Sequence, residues 1–298
     1  MNKPKIGISI GDPAGIGPEI IAKALGSDEV LRLCQPQVVA TPEYSLLKDT
    51  ILAGRAQVQG GKIAVESFLE AIRLALAGQL DAVVTAPLNK EAMHLAGYNY
   101  NGHTEILAEQ TKCKKYGMLF YSQPLKVILT TIHCPLSAVP QLMTTEKLNT
   151  AIELGYQAML DFGIVSPRLG IAGLNPHAGE QGLFGNEDLE IISPAVERYR
   201  QRGWQVEGPL PPDTAFLSAR QGRFDLVVAQ YHDQGLIPLK LLAFDSAVNI
   251  TVGTPVIRTS VDHGTAYNIA GQGIANPGSL IEAIKAAVLL VNNRKASA

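Results

Sequence analysis

Short apolar runs alternate with helix-length amphipathic segments along almost the whole chain, and few folds accept that pattern. KIGISI (5–10) precedes GPEIIAKAL (17–25), and AVESFLEAIRLALAG (64–78) precedes DAVVTAP (81–87). LKVILTTI (125–132) precedes a proline-bounded turn and then TTEKLNTAIELGYQAML (144–160), whose Thr144 or Thr145 offers an N-terminal cap. RLGIAGLN (168–175), FDLVVAQY (224–231) and AVNITVGTPVIRT (247–259) read as further strands. EDLEIISPAVERYRQRG (187–203), with Pro194 as a kink, and GSLIEAIKAAVLLVNN (278–293) read as helices. Strands separated by helices predict a largely parallel sheet covered on both faces.

Parallel strands present their carboxyl ends on one rim, where ligands bind. The residues that follow each run therefore carry weight. His133 follows VILTTI, His177 follows GIAGLN, and His232 follows LVVAQY; each stands at a turn containing glycine or proline. A lone histidine in such a place is more often a hydrogen-bonded loop residue than a ligand. Three in the same topological position favour a shared divalent metal with open coordination positions. Asp233 stands beside His232 as an orienting carboxylate or a general base. His94, inside a helical pattern, reads as structural.

A second set of residues suits an anion. His103 and Thr104 lie in NGHTE, a glycine turn before a helix. Lys240 follows the HDQG turn, Asn249 lies in AVNITVG, and Arg258 ends PVIR. Singly, Lys240 and Arg258 read as solvated surface charges; together the set suits an acidic, phosphorylated ligand.

Two glycine motifs are set aside. GISIG (7–11) fits G-x-S-x-G, but Ser9 falls inside the strand and not on a strained turn after it. GDPAGIGPE (11–19) lacks the third glycine of a dinucleotide fingerprint and the Gly-Lys-Ser/Thr of a P-loop. Asp12 and Glu19 there read as charges favouring a helix start.

The 298 residues carry 46% hydrophobic and 17% charged side chains, enough for two cores, and the net charge of -2 gives no footprint for nucleic acid or an anionic membrane. The three cysteines lie far apart without a C-x-x-C pair, which predicts reduced thiols and a cytoplasmic setting.

Together GDPAGIGPE, TAPLNK, GHTE, LNPHAGE, PPDTAF, YHDQGLIPLK and VNITVGTPVIRTSVDHGTA resemble the 4-hydroxythreonine-4-phosphate dehydrogenase family of pyridoxine-phosphate biosynthesis. HGTAYNIAGQGIANPGS also resembles the adenine-binding loop of the isocitrate and isopropylmalate dehydrogenase superfamily. The resemblance implies two α/β/α domains with largely parallel sheets and an active site in the cleft between them. The expected first domain is 1–120 with 256–298, on the cofactor side; the second is 121–255, on the metal and dimer side. It implies one divalent metal per site (zinc, cobalt, magnesium or manganese) on His133, His177 and His232, and substrate contacts from His103, Thr104, Lys240, Asn249 and Arg258. It further implies NAD, with NADP as the alternative, at Gly264, Thr265, Ala266, Asn268 and Asn276. Lys240, Asp213 and Asp233 are the proton-transfer candidates. A homodimer with shared active sites is implied as well.

The expected reaction is oxidation and decarboxylation of 4-phosphohydroxy-L-threonine to 3-amino-2-oxopropyl phosphate. The first alternative is a paralogue acting on D-threonate or D-erythronate 4-phosphate. The second is a metal-dependent hydrolase or phosphate-binding protein, which would have no use for the HGTAYNIAGQG loop. Two departures from the family pattern stand out: a short stretch between Leu33 and Gly61, and Asn268 where an aspartate often favours NAD.

Overall fold

The computed structural model describes residues 3–297. Its strands are β1 (Lys5–Ser9), β2 (Gln35–Val39), β3 (Ala82–Thr85), β4 (Gly117–Tyr121), β5 (Lys126–Leu129), β6 (Arg168–Ala172), β7 (Gln205–Leu210), β8 (Leu226–Ala229), β9 (Val248–Val252) and β10 (Arg258–Val261). The chain divides into two units: residues up to Lys114 together with those from Val248 on, and Lys115–Ala247 between them. The expected boundary at 120/121 would have cut β4, and that at 255/256 would have moved β9 to the other unit. β9 instead pairs antiparallel with β10, Asn249 opposite Ser260, so Asn249 belongs to the first unit.

In the first unit β1 pairs in parallel with β2 and β3, and β3 in parallel with β10. The long helix Val58–Leu76 turns Val65, Phe68 and Ile72 into a core shared with Val83, Met93 and Ile106. Its amino-terminal turns lie against helix Lys90–Leu95 so closely that only glycine fits. A Cβ on Gly61 would stand 1.9 Å from the Ala92 carbonyl oxygen.

In the second unit β5 pairs antiparallel with β4 and parallel with β8, and β6 lies in parallel between β8 and β7. Val127, Val227, Ala229, Leu236 and Leu239 meet in its core. Helix Thr145–Asp161 is capped by Thr144, whose hydroxyl accepts from the Lys147 amide. The 187–203 stretch begins as a π-turn, Asp188–Ile192, and continues as helix Ser193–Gln201; Pro194, which has no backbone N–H to donate, stands at the junction of the two. Among the described residues no helix is long and apolar enough to cross a membrane.

The Gly61–Ala92 approach gives a direct test. Gly61→Ala must displace backbone, so it should destabilise the chain by about 2–3 kcal/mol. Gly26→Ala, where the added carbon meets only carbonyl oxygens 3.5 and 3.6 Å away, should change stability by less than about 1 kcal/mol. Urea unfolding midpoints of the two variants measure the difference.

Candidate active site

The second unit brings its chemistry to one rim. His133 follows β5, His232 follows β8, His177 follows β6, and Asp213 follows β7; these four strands run parallel, so all four residues lie beyond carboxyl ends. The rings of His133 and His232 come within 5.6 Å, centroid to centroid. Asp233 Oδ1 lies 2.7 Å from His232 Nδ1. A carboxylate only accepts, so Nδ1 carries the proton and Nε2 keeps its lone pair for an electrophile. Beside the two rings opens a recess of about 550 Å³, lined by Ile132, Pro135, Leu136, Tyr231 and Ile237.

His177 is exposed, and its ring packs 6.3 Å from that of Phe184. Among the described residues no group of three or more His, Cys, Asp or Glu is arranged to hold a metal. One chain therefore pairs His133 with His232 and does not complete the expected triad. His177 stands on a turn in which five consecutive residues, His177 to Gln181, have positive φ, from 42° to 79°. Left-handed backbone costs a non-glycine residue roughly 1–2 kcal/mol, and four of the five are not glycine.

Lys240 does not follow a turn, since HDQG is itself the start of its helix. It lies in helix His232–Ala243, eight residues beyond His232 and so about 12 Å along the axis. Asp213 is exposed in the first turn of helix Pro212–Arg220.

The first unit gathers the anion-binding set. Arg258 begins β10 instead of ending a strand, and at 3% exposure it is no solvated surface charge. Its head reaches the end of β3: Nε and Nη2 donate to Thr85 Oγ1 at 3.2 and 2.7 Å, and Nη1 donates to Thr251 Oγ1 at 3.1 Å. Burial pushes the guanidinium down to about 9, against the pull of the Glu105 carboxylate. Thr104 Oγ1 lies 3.2 Å from Thr251 Oγ1. His103 opens helix His103–Gln110, edge-on to Phe68, and its buried Nε2 has no partner; nor has Asn249 Oδ1. A buried cation among hydroxyls, flanked by unsatisfied polar atoms, is suited to an anionic ligand.

Three turns of the first unit meet at the carboxyl ends of β1, β3 and β10. The Asp12 amide donates to the Pro87 carbonyl, and the Ile16 amide to the Thr265 carbonyl. Gly15 is required there, since a Cβ would press against Thr265 at 2.8 Å. Asp12 is fully buried and does more than favour a helix start. Its Oδ1 accepts from the Ala14 amide and its Oδ2 from the Tyr267 hydroxyl, while burial raises its pKa. Glu19 accepts from the Ala275 amide, and Lys23 donates to the Gly273 and Ala275 carbonyls. These bonds hold the 263–276 segment, with Thr265 buried, Ala266 left-handed (φ 45°), and Gly264, Asn268 and Asn276 exposed. Ser9, buried at the end of β1, is no nucleophile elbow.

Burial, and then the Arg258 charge, hold the His103 pKa well below its ordinary 6.5. As pH falls through about 6.5 the unfolded chain takes up a proton that the folded chain refuses, so stability is complete above that pH and declines below it. His103→Gln should remove up to about 1.4 kcal/mol per pH unit of this decline. Urea midpoints of both proteins between pH 5 and 8 measure it.

The family model described as pyridoxal phosphate biosynthetic protein PdxA matches residues 20–287. The chain is 42% identical to 4-hydroxythreonine-4-phosphate dehydrogenase of Desulforapulum autotrophicum, over 97% of this chain and 96% of the relative. It is 43% identical to D-threonate 4-phosphate dehydrogenase of Salmonella typhimurium, over 97% and 100%. Both alignments, of 325 and 326 positions, exceed the 298 residues of this chain, so the relatives carry residues within the matched span that this chain lacks. The crystal structure of a putative 4-hydroxythreonine-4-phosphate dehydrogenase from Salmonella typhimurium superposes with a TM-score of 0.87 at 41% identity, over 97% of this chain and 100% of that one. The chain belongs to the PdxA family of dehydrogenases.

Proposed function

We propose that the chain oxidises a phosphorylated four-carbon hydroxy acid with NAD or NADP and a divalent cation, and that the oxidised product loses carbon dioxide. The observation that carries this reading is the His133–His232 pair, with Asp233 bonded to His232 Nδ1 so that Nε2 is the nitrogen left to bind a cation. Neutral imidazoles suit zinc or cobalt, and substrate oxygens extend the choice to magnesium and manganese. When bound, the cation supplies Lewis acidity to the reacting hydroxyl and the nicotinamide supplies the hydride acceptor.

The protein's own groups do the rest. Arg258 and Thr104 bind the anion, and His103 Nε2 and Asn249 Oδ1 orient it. The 263–276 segment, held through Asp12, Glu19 and Lys23, offers Gly264, Thr265, Ala266, Asn268 and Asn276 to the cofactor. An amide at Asn268 repels a 2′-phosphate less than a carboxylate would, so NADP stays in the reading. Asp233 serves as an orienter, which leaves Lys240 and Asp213 as proton carriers.

A second copy of the chain belongs to the proposal. One chain offers two imidazoles together and His177 apart. Leu136, Leu183, Ile237, Leu241 and Phe244, on the same elements as the three histidines or close to them in sequence, are exposed apolar side chains. A homodimer would cover them and complete each site with an imidazole from the partner.

The names of the relatives support two substrates, 4-phosphohydroxy-L-threonine and D-threonate 4-phosphate, which differ in an amine or a hydroxyl at C2. An assay of NADH or NADPH formation with each, with and without chelator, tests the proposal. Turnover with one substrate should vanish on chelation and return on adding cation. His133→Ala and His232→Ala should each lower kcat/KM at least about 100-fold. Arg258→Met should raise KM about 10- to 100-fold, the loss expected for a charge-assisted hydrogen bond to an anion. Reduced cofactor formed equally well in chelator would overturn the metal reading.

A further inference from the structure

Asn175 and Gln234 stand in the LNPHAGE and YHDQG motifs, yet the proposed chemistry gives neither a task, nor any to Asp188 beyond them. We infer that Asp188, assisted by Gln234, is a positioning residue that holds the left-handed turn of His177. The inference rests on the reading of His177 as a metal-binding side chain and adds the residues that set its place.

Asp188 is fully buried at the start of the π-turn. Its Oδ1 accepts from the Leu174 amide at 2.8 Å, and its Oδ2 accepts from the Asn175 amide at 3.1 Å and from Asn175 Nδ2 at 3.0 Å. Among the described residues no lysine or arginine pairs with it, so these donors are what sustain a buried carboxylate. The backbone wraps it tightly. A Cβ on Gly173 would meet Asp188 Oδ1 at 2.8 Å and Ala178 Cα at 2.9 Å, and one on Gly179 would meet the Asp188 side chain at 3.2 Å.

The same short segment is held from its other side. Gln230 Nε2 donates to the Ala172 carbonyl, and Gln234 Nε2 donates to the Gly173 carbonyl, both at 2.7 Å. Gln234 Oε1 accepts from the Gln230 amide, and Gln234 itself lies in the helix that begins at His232. The carbonyl of 172 is thus tied to Gln230, just before the helix of His232, the carbonyl of 173 to that helix, and the amides of 174 and 175 to Asp188. His177 follows two residues later, in backbone that non-glycine residues avoid without external restraint. Released, the turn has right-handed alternatives that would point the imidazole elsewhere. Asparagine cannot substitute for Asp188, because its amide nitrogen would face a donor where the second oxygen accepts.

Cobalt(II) titration of the full chain, followed by visible absorption, tests the inference, with thermal midpoint and oligomeric state recorded alongside. His177→Ala alone should weaken cobalt binding; if it does not, the ligand reading of His177 fails whatever Asp188 does. Given that loss, Asp188→Asn should keep the oligomeric state and a cooperative thermal transition, at a midpoint lowered by the lost hydrogen bonds, yet weaken cobalt binding about 10- to 100-fold and change the absorption bands. The double variant should bind no more weakly than His177→Ala alone, because both lesions remove the same ligand. Parental cobalt affinity in folded Asp188→Asn, or additive losses in the double variant, would overturn the inference. Should Asp188→Asn fail to fold, Gln234→Ala removes the Gly173 bond and the acceptor of the Gln230 amide while leaving Asp188 in place. A smaller loss of affinity with altered bands is then expected, and unchanged binding would overturn the inference.

Discussion

The common direction of parallel strands is the constraint on which the rest depends. In a parallel sheet every strand delivers its carboxyl end, and the loop after it, to one rim. In the second unit that geometry alone makes neighbours of His133 and His232, almost a hundred residues apart in sequence. In the first unit it brings together the glycine turn after β1, the Pro87 turn after β3 and the segment after β10, which then bond to one another through backbone amides and carbonyls.

Both units also bury charge, and they satisfy it differently. Asp12 and Asp188 are carboxylates held by amides and neutral donors, so each fixes backbone at the cost of its own hydration. Arg258 is the opposite case. Threonine hydroxyls take its donors without supplying negative charge, and the unpartnered His103 Nε2 belongs to the same unit. A fully satisfied carboxylate builds structure. A buried cation hydrogen-bonded only to hydroxyls leaves further stabilisation for an anion to bring.

Among the described residues three strands are not legible in the sequence, and AVNITVGTPVIRT, which reads as one strand, is two, β9 and β10, folded back antiparallel on each other. β2 (QPQVV) and β7 (QVEGPL) are mostly polar or half exposed, and each pairs on one side within its own unit, so hydrophobicity marks them weakly. β4 (GMLFY) is apolar but lies beside β5 with a short connection, where an alternating strand–helix reading expects a helix. Arg258 was found by its motif and misplaced by its setting. Residues after an apolar run read as exposed, and only its pairing opposite Val83 and Thr251 shows it inside the sheet. Asp12 reads locally as a charge favouring a helix start, Asp188 has no local reading of its own, and nothing near either in sequence marks it as buried.

By itself the sequence determined the parallel α/β class, the family, and the residue types at the strand ends, because these follow from periodicity and short motifs that each carry their meaning locally. The tertiary structure decided which imidazoles share a recess, which cation is buried, and which carboxylates hold the turns. Those outcomes depend on distances between segments far apart in the chain and on the exclusion of water around them, and no local pattern encodes either.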